Sequence, residues 1–336
     1  MKVLKFGGKS LANGKGLETV LSIITDKVAQ GQEIAVVVSA RDKATDQLES
    51  MLERAARGED ISADFQAFKQ YQIAGEDIDF SAEFSILQRI FDGVSLLGDY
   101  NDKIKDHTLA QGEVLSAKYI SHLLRKRGIK AVFADSRHFY VTDSHFGNAQ
   151  LVEDASAKST IQYFAQLPKG VTPIVTGFIA ANVHGETTTL GRNGSNYSAS
   201  ILASILQAEE LQNYTHVDGI FTANPELVSD AKIIRQLSFE EANELANFGT
   251  SILHAKTIIP LLEKKIPLRI LNTFKPNDGG TLICEAKENI GGIRAISVLE
   301  NYALVILEGR GLLGKVGVDA RIFRALAQAE ISVSII

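Results

Sequence analysis

The chain has 336 residues, of which 45% are hydrophobic and 22% are charged. At about 150 residues per domain, this length predicts one large domain and a smaller unit, and the composition is typical of a folded protein. The formal net charge of -5, from 35 Lys and Arg against 40 Asp and Glu, excludes a globally basic surface. We therefore expect neither nucleic acid nor a membrane as a partner.

The single cysteine, Cys284, cannot form an internal disulfide, and the seven histidines lack the spacing of a zinc site. The opening MKVLKF is too short an apolar stretch for a signal peptide, and no apolar run approaches the roughly 18 residues of a membrane span. The sequence thus predicts a cytoplasmic protein without a resident metal.

The first fifty residues predict the fold class. Residues 3–6 read as a short strand that ends at Gly7-Gly8, and apolar residues then recur at helical spacing over 17–28. The continuous apolar run 34–38 suits a strand covered on both faces. Because strand, helix and strand follow one another, we expect an α/β fold with a parallel sheet.

The same alternation continues to about residue 282. Residues 45–127 read as mostly helical. Further strands are predicted at 130–134, 173–176, 214–217 and 268–271, and helices near 195–209, 238–247 and 254–264.

A second, smaller unit is predicted beyond residue 285. It contains apolar segments at 293–298, 303–307 and 331–336 and a helix around 315–328. Because the chain stops inside an apolar run, we expect that residue 336 is not a natural terminus. The motif GRGLLG at 309–314 matches a dinucleotide fingerprint, but the expected acidic residue does not follow the next strand, so we interpret it as a turn.

Two glycine-containing motifs are candidates for anion binding. In KFGGKS at 5–10, glycines at a strand end let backbone N–H groups approach a phosphate while Lys5 supplies charge. In TLGRNGSNYS at 189–198, Arg192 precedes the start of a predicted helix, where an arginine fork and orphan N–H groups suit a carboxylate. An ordinary glycine turn and an N-capping loop are the respective alternatives.

Two acidic residues lie at positions that suit a ligand. Asp218, in THVDGIFTANP at 215–225, follows a predicted strand end, where ligands gather in open α/β sheets, although Asp-Gly and Asn-Pro are also common turn pairs. Glu113, in GEVLSA at 112–117, lies early in a predicted helix and alone reads as a favourable first-turn acid.

Six motifs, taken in order, resemble those of the aspartate kinases in the amino acid kinase family. They are KFGGKS at 5–10, VVVSARDKATD at 36–46, GEVLSA at 112–117, TTTLGRNGSNYSAS at 187–200, THVDGIFTANP at 215–225 and FGTSILHAKT at 248–257. The resemblance is strongest to the kinase part of bifunctional aspartokinase–homoserine dehydrogenases, cut within the regulatory ACT region.

The resemblance implies a three-layer α/β/α amino acid kinase fold with a mostly parallel central sheet in 1–285. A partial α+β ACT regulatory domain would follow in 290–336. The implied reaction is ATP-dependent phosphorylation of the L-aspartate side-chain carboxylate to 4-phospho-L-aspartate, the first step toward lysine, threonine and methionine. ATP with Mg²⁺, an amino acid effector at the ACT region and a homodimer or higher oligomer are implied as well.

Residue roles are likewise implied by the resemblance. Lys5 and Asn196 fall on catalytic positions. The aspartate-binding positions are Thr45, Glu113, Arg192 and Ser195, with Arg192 on the α-carboxylate and Glu113 on the ammonium. The ATP-binding positions are Lys5, Gly7, Gly8, Ser10, Ser39, Thr215, His216, Asp218, Phe221, Pro225 and Ser251.

Several residues depart from the family pattern near these positions. Asn196 replaces a carboxylate, while Glu226 and Ser251 replace cations expected near the phosphates, and an amide or a hydroxyl cannot supply that charge. Two interpretations remain open. Either Lys9, Lys43 or Lys256 compensates in an active kinase, or the domain is a catalytically weak regulatory and oligomerisation module on a dehydrogenase.

Overall fold

The computed structural model describes residues 1–247, 254–285, 292–298, 303, 305–306, 317–329, 331 and 333. Its strands are β1 Lys2–Phe6, β2 Ile34–Val38, β3 Ala131–Ala134, β4 Val141–Thr142, β5 Thr172–Thr176, β6 Ile179–Asn182, β7 Thr187–Thr189, β8 Leu211–Thr215, β9 Gln236–Ser238, β10 Leu268–Asn272 and β11 Thr281–Cys284. Its helices are α1 Lys15–Ala29, α2 Ala44–Ala56, α3 Ser62–Ile73, α4 Ser81–Leu97, α5 Asp102–Lys126, α6 Glu153–Ala165, α7 Gly194–Ile205, α8 Phe239–Asn247, α9 Ala255–Lys264 and α10 Val318–Gln328.

Eight strands form the central sheet in the order β3-β5-β2-β1-β8-β10-β11-β9. Neighbouring strands run parallel except β10 and β11, which are antiparallel. The strands β4, β6 and β7 form a separate, smaller sheet in the order β4-β6-β7. The expected mostly parallel sheet is therefore confirmed.

Helices cover the central sheet on both faces. Because side chains alternate along a strand, Leu4 and Phe6 of β1 pack into one core with α1–α5, whereas Val3 packs into a second core with α7 and α9. The strands β1 and β2 are buried along nearly their whole length, as parallel strands covered on two faces require. These layers confirm the expected α/β/α architecture.

The predicted elements agree with the structure where apolar residues are continuous. The strand expected at 214–217 lies instead at 211–215, because Gln212 and Asn213 conceal a buried strand and the chain turns away after Thr215. Sequence patterns missed β4, β6, β7, β9 and α6. In the small sheet the strands are only two to four residues long, and β7 consists of threonines alone, so no apolar period marks them.

The C-terminal region is described only in part. Helix α10 agrees with the helix expected around 315–328. Residues 293–298 form no strand; the Ile296 N–H instead donates to the Thr222 carbonyl at 2.8 Å. Most of 303–307, 309–314 and 331–336 lies outside the described residues. Within the described part of the chain, no helix is long and apolar enough to cross a lipid bilayer.

Candidate active site

A cavity of about 350 Å³ opens at the carboxyl ends of the parallel strands β1, β2 and β5. This edge is where loops of an open α/β sheet meet and where ligands gather. The cavity is lined by Lys5, Gly8, Ser39, Ala40, Asp42, Lys43, Thr45, Asp46, Glu113, Phe178, Gly191, Arg192, Asn193, Gly194, Ser195 and Asn196. Both predicted catalytic residues and all four predicted substrate-binding residues thus share one cavity.

Lys5 reaches the cavity from β1. Its side chain is only 8% exposed, and its ammonium forms no hydrogen bond or ion pair with any residue that the structure describes. Burial lowers the pKa of Lys5 to about 8, because removal from water disfavours the charged form. Gly7 lies beside it; a Cβ there would stand 3.4 Å from Lys5 Nζ. The site therefore holds a desolvated cation that an anion would stabilise.

Glu113 enters from α5 on the opposite side of the cavity. Gly112 lets the helix approach the loop after β2, since a Cβ at this position would stand 2.9 Å from Ala40 Cβ. Glu113 is 3% exposed; Oε1 accepts from the Ala40 N–H at 3.2 Å, and Oε2 has no partner among the described residues. Burial raises the pKa of Glu113 to about 8. A bound cation would reverse this rise by stabilising the carboxylate.

Arg192 stands at the entrance of α7, two residues before the helix begins. It is exposed and makes no hydrogen bond or ion pair within the described ranges. Gly191 and Asn193 both have positive φ, of 75° and 58°, which turns the chain sharply at this point. The guanidinium and the unpaired N–H groups of the helix start therefore suit a carboxylate.

Ser195 and Asn196 follow in the first turn of α7. Gly177 permits close contact with the helix, because a Cβ there would stand 2.7 Å from Ser195 Cβ. The Asn196 Oδ1 is buried and unpartnered in the described structure. An amide oxygen at this position can accept from a cation but carries no formal charge.

Three non-glycine residues with positive φ line the cavity: Asp42 at 52°, Phe178 at 65° and Asn193 at 58°. The other described non-glycine residues with positive φ, Ala74, Gln207 and Lys265, all lie at helix C-termini, where this conformation is common. Strained backbone is frequent at functional sites. Its concentration here supports a binding role for the cavity.

Buried Arg41 holds the loop after β2 in place. Its guanidinium donates to Asn13 Oδ1 at 2.8 Å, to Gln72 Oε1 at 3.0 Å and to the carbonyls of Tyr71 and Gln72, and it stacks 3.7 Å from the Tyr119 ring centre. The next residue of the loop, Asp42, donates its N–H to the Gly8 carbonyl at 2.9 Å. The loops after β1 and β2 are thus joined.

Buried Asp106 holds the segment that carries Arg192. Its carboxylate accepts from Thr189 N–H at 2.9 Å, Thr189 Oγ1 at 2.7 Å and Gly147 N–H at 2.9 Å. Asn148, the residue after Gly147, accepts a hydrogen bond from Lys256 Nζ through its Oδ1 at 2.9 Å. Asp106 of α5 and Lys256 of α9 are therefore both tied to the segments at 147–148 and 189 that lie beside the cavity entrance.

The charged residues that line the cavity are balanced in sign. Lys5, Lys43 and Arg192 supply three cations, and Asp42, Asp46 and Glu113 supply three carboxylates. Of the three lysines proposed to compensate for the altered residues, Lys43 lines the cavity. Lys9 lies close enough to His216 to help lower the pKa of that imidazole, behind the larger effect of burial. A molecule with both an ammonium and several anionic groups would find partners for each here.

The predicted nucleotide residues Thr215, His216, Asp218, Phe221 and Pro225 lie outside the cavity. Thr215 is the last residue of β8, and the other four come after it; the carboxyl end of β8 adjoins that of β1. Asp218 accepts from Asn272 Nδ2 and pairs with Lys275 Nζ at 2.6 Å, and this hydrogen bond with Lys275 lowers the pKa of Asp218. We call these five residues the nucleotide-side surface.

The remaining predicted ATP residues are distributed differently. Gly8 and Ser39 line the cavity, and Gly7 lies beside Lys5. The Ser10 hydroxyl is buried and hydrogen bonds to Thr273 Oγ1 at 2.7 Å, which ties the loop after β1 to the end of β10. Ser251 lies outside the described residues. The described residues contain no group of three or more His, Cys, Asp or Glu that could hold a metal ion.

Several residues of the site were not found from sequence. Ala40, Asp42, Asp46 and Phe178 line the cavity, yet only the position of the first three inside VVVSARDKATD could have drawn attention to them. Arg41 and Asp106 act through contacts with residues far away in the chain. No local pattern marks such contacts.

Comparison with known proteins gives consistent results. The model of the Amino acid kinase family matches residues 1–272. Bifunctional aspartokinase/homoserine dehydrogenase 1 of Zea mays is 32% identical over 96% of this chain, which spans only 37% of that relative. Lysine-sensitive aspartokinase 3 of Escherichia coli is 32% identical over 99% of this chain and 75% of its own length. The crystal structure of E. coli aspartokinase III in complex with aspartate and ADP superimposes with a TM-score of 0.84 at 31% identity, covering all of this chain and 76% of the other.

Proposed function

The chain belongs to the amino acid kinase family and, within it, to the aspartokinases, and we propose that it transfers a phosphoryl group from ATP to the side-chain carboxylate of L-aspartate. The product would be 4-phospho-L-aspartate, the entry compound of the aspartate-derived amino acids. The observation that carries the proposal is the convergence of Lys5, Glu113 and Arg192 on one cavity.

Aspartate matches the charges of this cavity. Arg192 would bind the α-carboxylate through its fork, since a bidentate pair gives both strength and orientation. Glu113 would accept from the ammonium, and Thr45 and Ser195 would donate hydroxyl hydrogen bonds. The side-chain carboxylate is then left free to attack phosphorus. This set of contacts would orient the amino acid so that its side chain faces the phosphoryl group.

Lys5 would stabilise charge on the transferring phosphoryl group. Phosphoryl transfer depends mainly on positioning and electrostatic stabilisation, so a buried cation beside Gly8 is suited to the step. Mg²⁺ would accompany ATP and neutralise phosphate charge, bound largely through the phosphates themselves, which is its usual mode in kinases. Lys43, at the same cavity, would add a cation where Ser251 and Glu226 lack one.

The wider organisation also forms part of the proposal. Residues 1–285 would form the kinase domain, and 290–336 would form part of an ACT domain that binds an amino acid effector. A relative bears the name lysine-sensitive aspartokinase, which supports an effector of this class. We further propose a homo-oligomer in the cytoplasm.

The test measures ADP release with Mg-ATP in the presence and absence of aspartate, with hydroxylamine present to trap an acyl phosphate. Lys5→Ala is expected to abolish aspartate-dependent release, because the charge opposite the phosphoryl group is lost. Lys2→Ala serves as the matched control, since Lys2 lies on the same strand but at its opposite end.

Absence of turnover in a folded protein that still binds ATP and aspartate would contradict the kinase and favour the regulatory-module interpretation. Release without hydroxamate formation would contradict the acyl phosphate product. Hydroxamate that depends on both aspartate and Lys5 is the result we expect.

A further inference from the structure

A second, much smaller cavity lies directly beneath the active-site cavity. Lys5 and Asn196 line both. Its other polar residues are Asn213 of β8 and Thr257 of α9. Asn213 belongs to none of the sequence motifs, and Thr257, the last residue of FGTSILHAKT, has no part in the proposed substrate contacts.

Asn213 occupies an unusual position for an amide. It lies in the middle of the central sheet, paired in register with Lys5 on one side and Ile270 on the other, and it is 6% exposed. Residues in register on parallel strands project to the same face of a sheet. An apolar side chain is the ordinary occupant of such a site, because a buried amide without partners destabilises the fold.

Three buried oxygen atoms around this cavity have no hydrogen-bond partner in the part of the chain that the structure describes: Asn196 Oδ1, Asn213 Oδ1 and Thr257 Oγ1. Across from them, the Lys5 ammonium has three N–H groups and no acceptor among the described residues. The space between is too small for a water molecule. Lys5 is the one cation among the described residues that line this cavity.

We propose that Asn213 is a positioning residue for Lys5: the two residues share this cavity without being bonded in the structure, and a turn of the Lys5 side chain would let Asn213 Oδ1, Asn196 Oδ1 and Thr257 Oγ1 accept hydrogen bonds from the ammonium and hold it in the active site. This role rests on the proposed kinase function, in which Lys5 faces the phosphoryl group. Three neutral oxygens orient the ammonium without neutralising it. A carboxylate in the same place would hold the lysine in an ion pair and reduce its attraction for phosphate.

Other charged groups face Lys5 from the surrounding elements. They are Asp42 and Lys43 of the loop after β2, Asp46 of α2, Glu113 of α5 and Arg192 before α7. All of them line the active-site cavity, whereas Asn213 and Thr257 line only the smaller one. Substitutions of Asn213 and Thr257 therefore change the environment of Lys5 without removing any of these charges.

The experiment follows the ionisation of Lys5 directly. The full chain is labelled with [ε-¹³C]lysine, and the Lys5 signal is identified by its loss in Lys5→Arg and titrated with pH. Asn213→Leu removes an acceptor and keeps the branched shape of the side chain, so the pKa of Lys5 is expected to fall below the wild-type value of about 8. Asn213→Asp adds a negative charge, so the midpoint is expected to rise. The rise reports that residue 213 lies close to Lys5, and the fall in Asn213→Leu is the result that identifies the lost acceptor.

Gln212→Leu is the matched control. Gln212 is the neighbouring residue of β8, equally buried, but it pairs with Leu4 and projects to the other face of the sheet. It is expected to leave the Lys5 midpoint unchanged. Should Asn213→Leu fail to fold, Thr257→Val removes a hydroxyl acceptor at nearly constant volume and is expected to lower the midpoint in the same way.

Unchanged midpoints in all variants, or equal displacement in both Asn213 variants, would overturn the positioning role. The titration requires no turnover, so its result is separate from that of the kinase assay. A chain that lacks aspartate kinase activity while its midpoints move as expected would contradict the proposed function only.

Discussion

Glu113 in the cavity and Asp218 on the nucleotide-side surface are both carboxylates near a strand end, yet their pKa values move in opposite directions. Burial without a cationic partner raises the pKa of Glu113 to about 8. The hydrogen bond from Lys275, with Asn272 adding to it, lowers the pKa of Asp218. Glu113 has no cationic partner in the described structure and is available to an ammonium ligand. Asp218 is already paired with Lys275.

The two regions therefore differ in how their charges are held. In the cavity, Lys5 and Glu113 are desolvated, and hydrogen bonds from Arg41 and Asp106 fix the surrounding loops. On the nucleotide-side surface, the side chains of Asp218 and Lys275 are 24% and 59% exposed. Charges in water interact weakly and are screened by salt, whereas desolvated charges discriminate strongly between ligands. We expect selectivity for aspartate to reside in the cavity.

Among the variants that separate the cavity from the nucleotide-side surface, Arg192→Ala is expected to have the largest effect. Loss of a charge-assisted contact predicts that KM for aspartate rises about 100-fold, since such bonds contribute up to about 3 kcal/mol and each 1.4 kcal/mol is tenfold. Arg192 has no partner in the described residues, so the melting temperature should not change. Steady-state kinetics with varied aspartate and, separately, an ATP-binding titration provide the measurement.

The control for this variant is Arg57→Ala, an exposed arginine that pairs with Glu59 in the turn after α2 and away from the cavity. It is expected to leave both substrates unaffected. An equal loss of aspartate response and ATP affinity in Arg192→Ala would contradict the separation between cavity and nucleotide-side surface.

A smaller effect is expected for Glu113→Gln, and it should change how KM for aspartate depends on pH. Below pH 8 the free carboxyl is mostly protonated, so an ammonium ligand must displace a proton, and KM for aspartate should fall as pH rises toward 8. In Glu113→Gln this pH dependence should disappear, and KM should rise roughly tenfold, the equivalent of one charged hydrogen bond. Kinetics between pH 6 and 8 test this, and a variant that keeps the wild-type slope would refute the assignment.

The same residue predicts a change in stability. The pKa of Glu113 lies higher in the folded state than its ordinary value of 4.5, so the folded state binds more protons between these two values. Stability of the unliganded protein should therefore decline as pH rises through this window, and less so in Glu113→Gln. Denaturant unfolding at pH 5 and pH 8 measures the difference. Glu49→Gln, an exposed acid paired with Lys105, is the control.

The smallest effect is expected for Asp218→Asn. Because this carboxylate is partly exposed and already paired, its removal should raise KM for ATP only about two- to fivefold and leave KM for aspartate unchanged. Asp278→Asn, which disturbs the similarly exposed pair with Arg235, is the control. A larger rise in KM for aspartate than in KM for ATP would contradict the assignment of ATP to the nucleotide-side surface and of aspartate to the cavity.

Sequence reasoning was most successful where chemistry and local pattern coincide. Lys5, Glu113, Arg192 and Ser195 each sit in a motif beside a glycine or at a helix start, and the structure brings all four to one cavity. The nucleotide-side surface and Ser251 remain predictions. The ACT region also remains a prediction, since the described part of 290–336 is confined to short segments and α10.

Other features had no local signal. Arg41 reads in the sequence as a polar loop residue, yet it is fully buried among carbonyls and the Tyr119 ring. Asn213 interrupts an apolar strand pattern and displaced the expected strand by three residues at its start. The stacking of Arg41 on Tyr119 and the pairing of Asn213 with Lys5 each join segments that are far apart in the chain.

The sequence by itself determined the order of those strands and helices whose apolar residues are continuous or periodic, because apolar periodicity is a local property that each segment carries alone. It also determined which residue types stand at the strand ends. Only the tertiary structure decided that Lys5 lies beside Asn213, that Glu113 lines the same cavity without an ion-pair partner among the described residues, and that a small sheet of short strands flanks the entrance. Burial and the absence of partners arise from packing between distant segments, and those two properties set the charges on which the proposed chemistry depends.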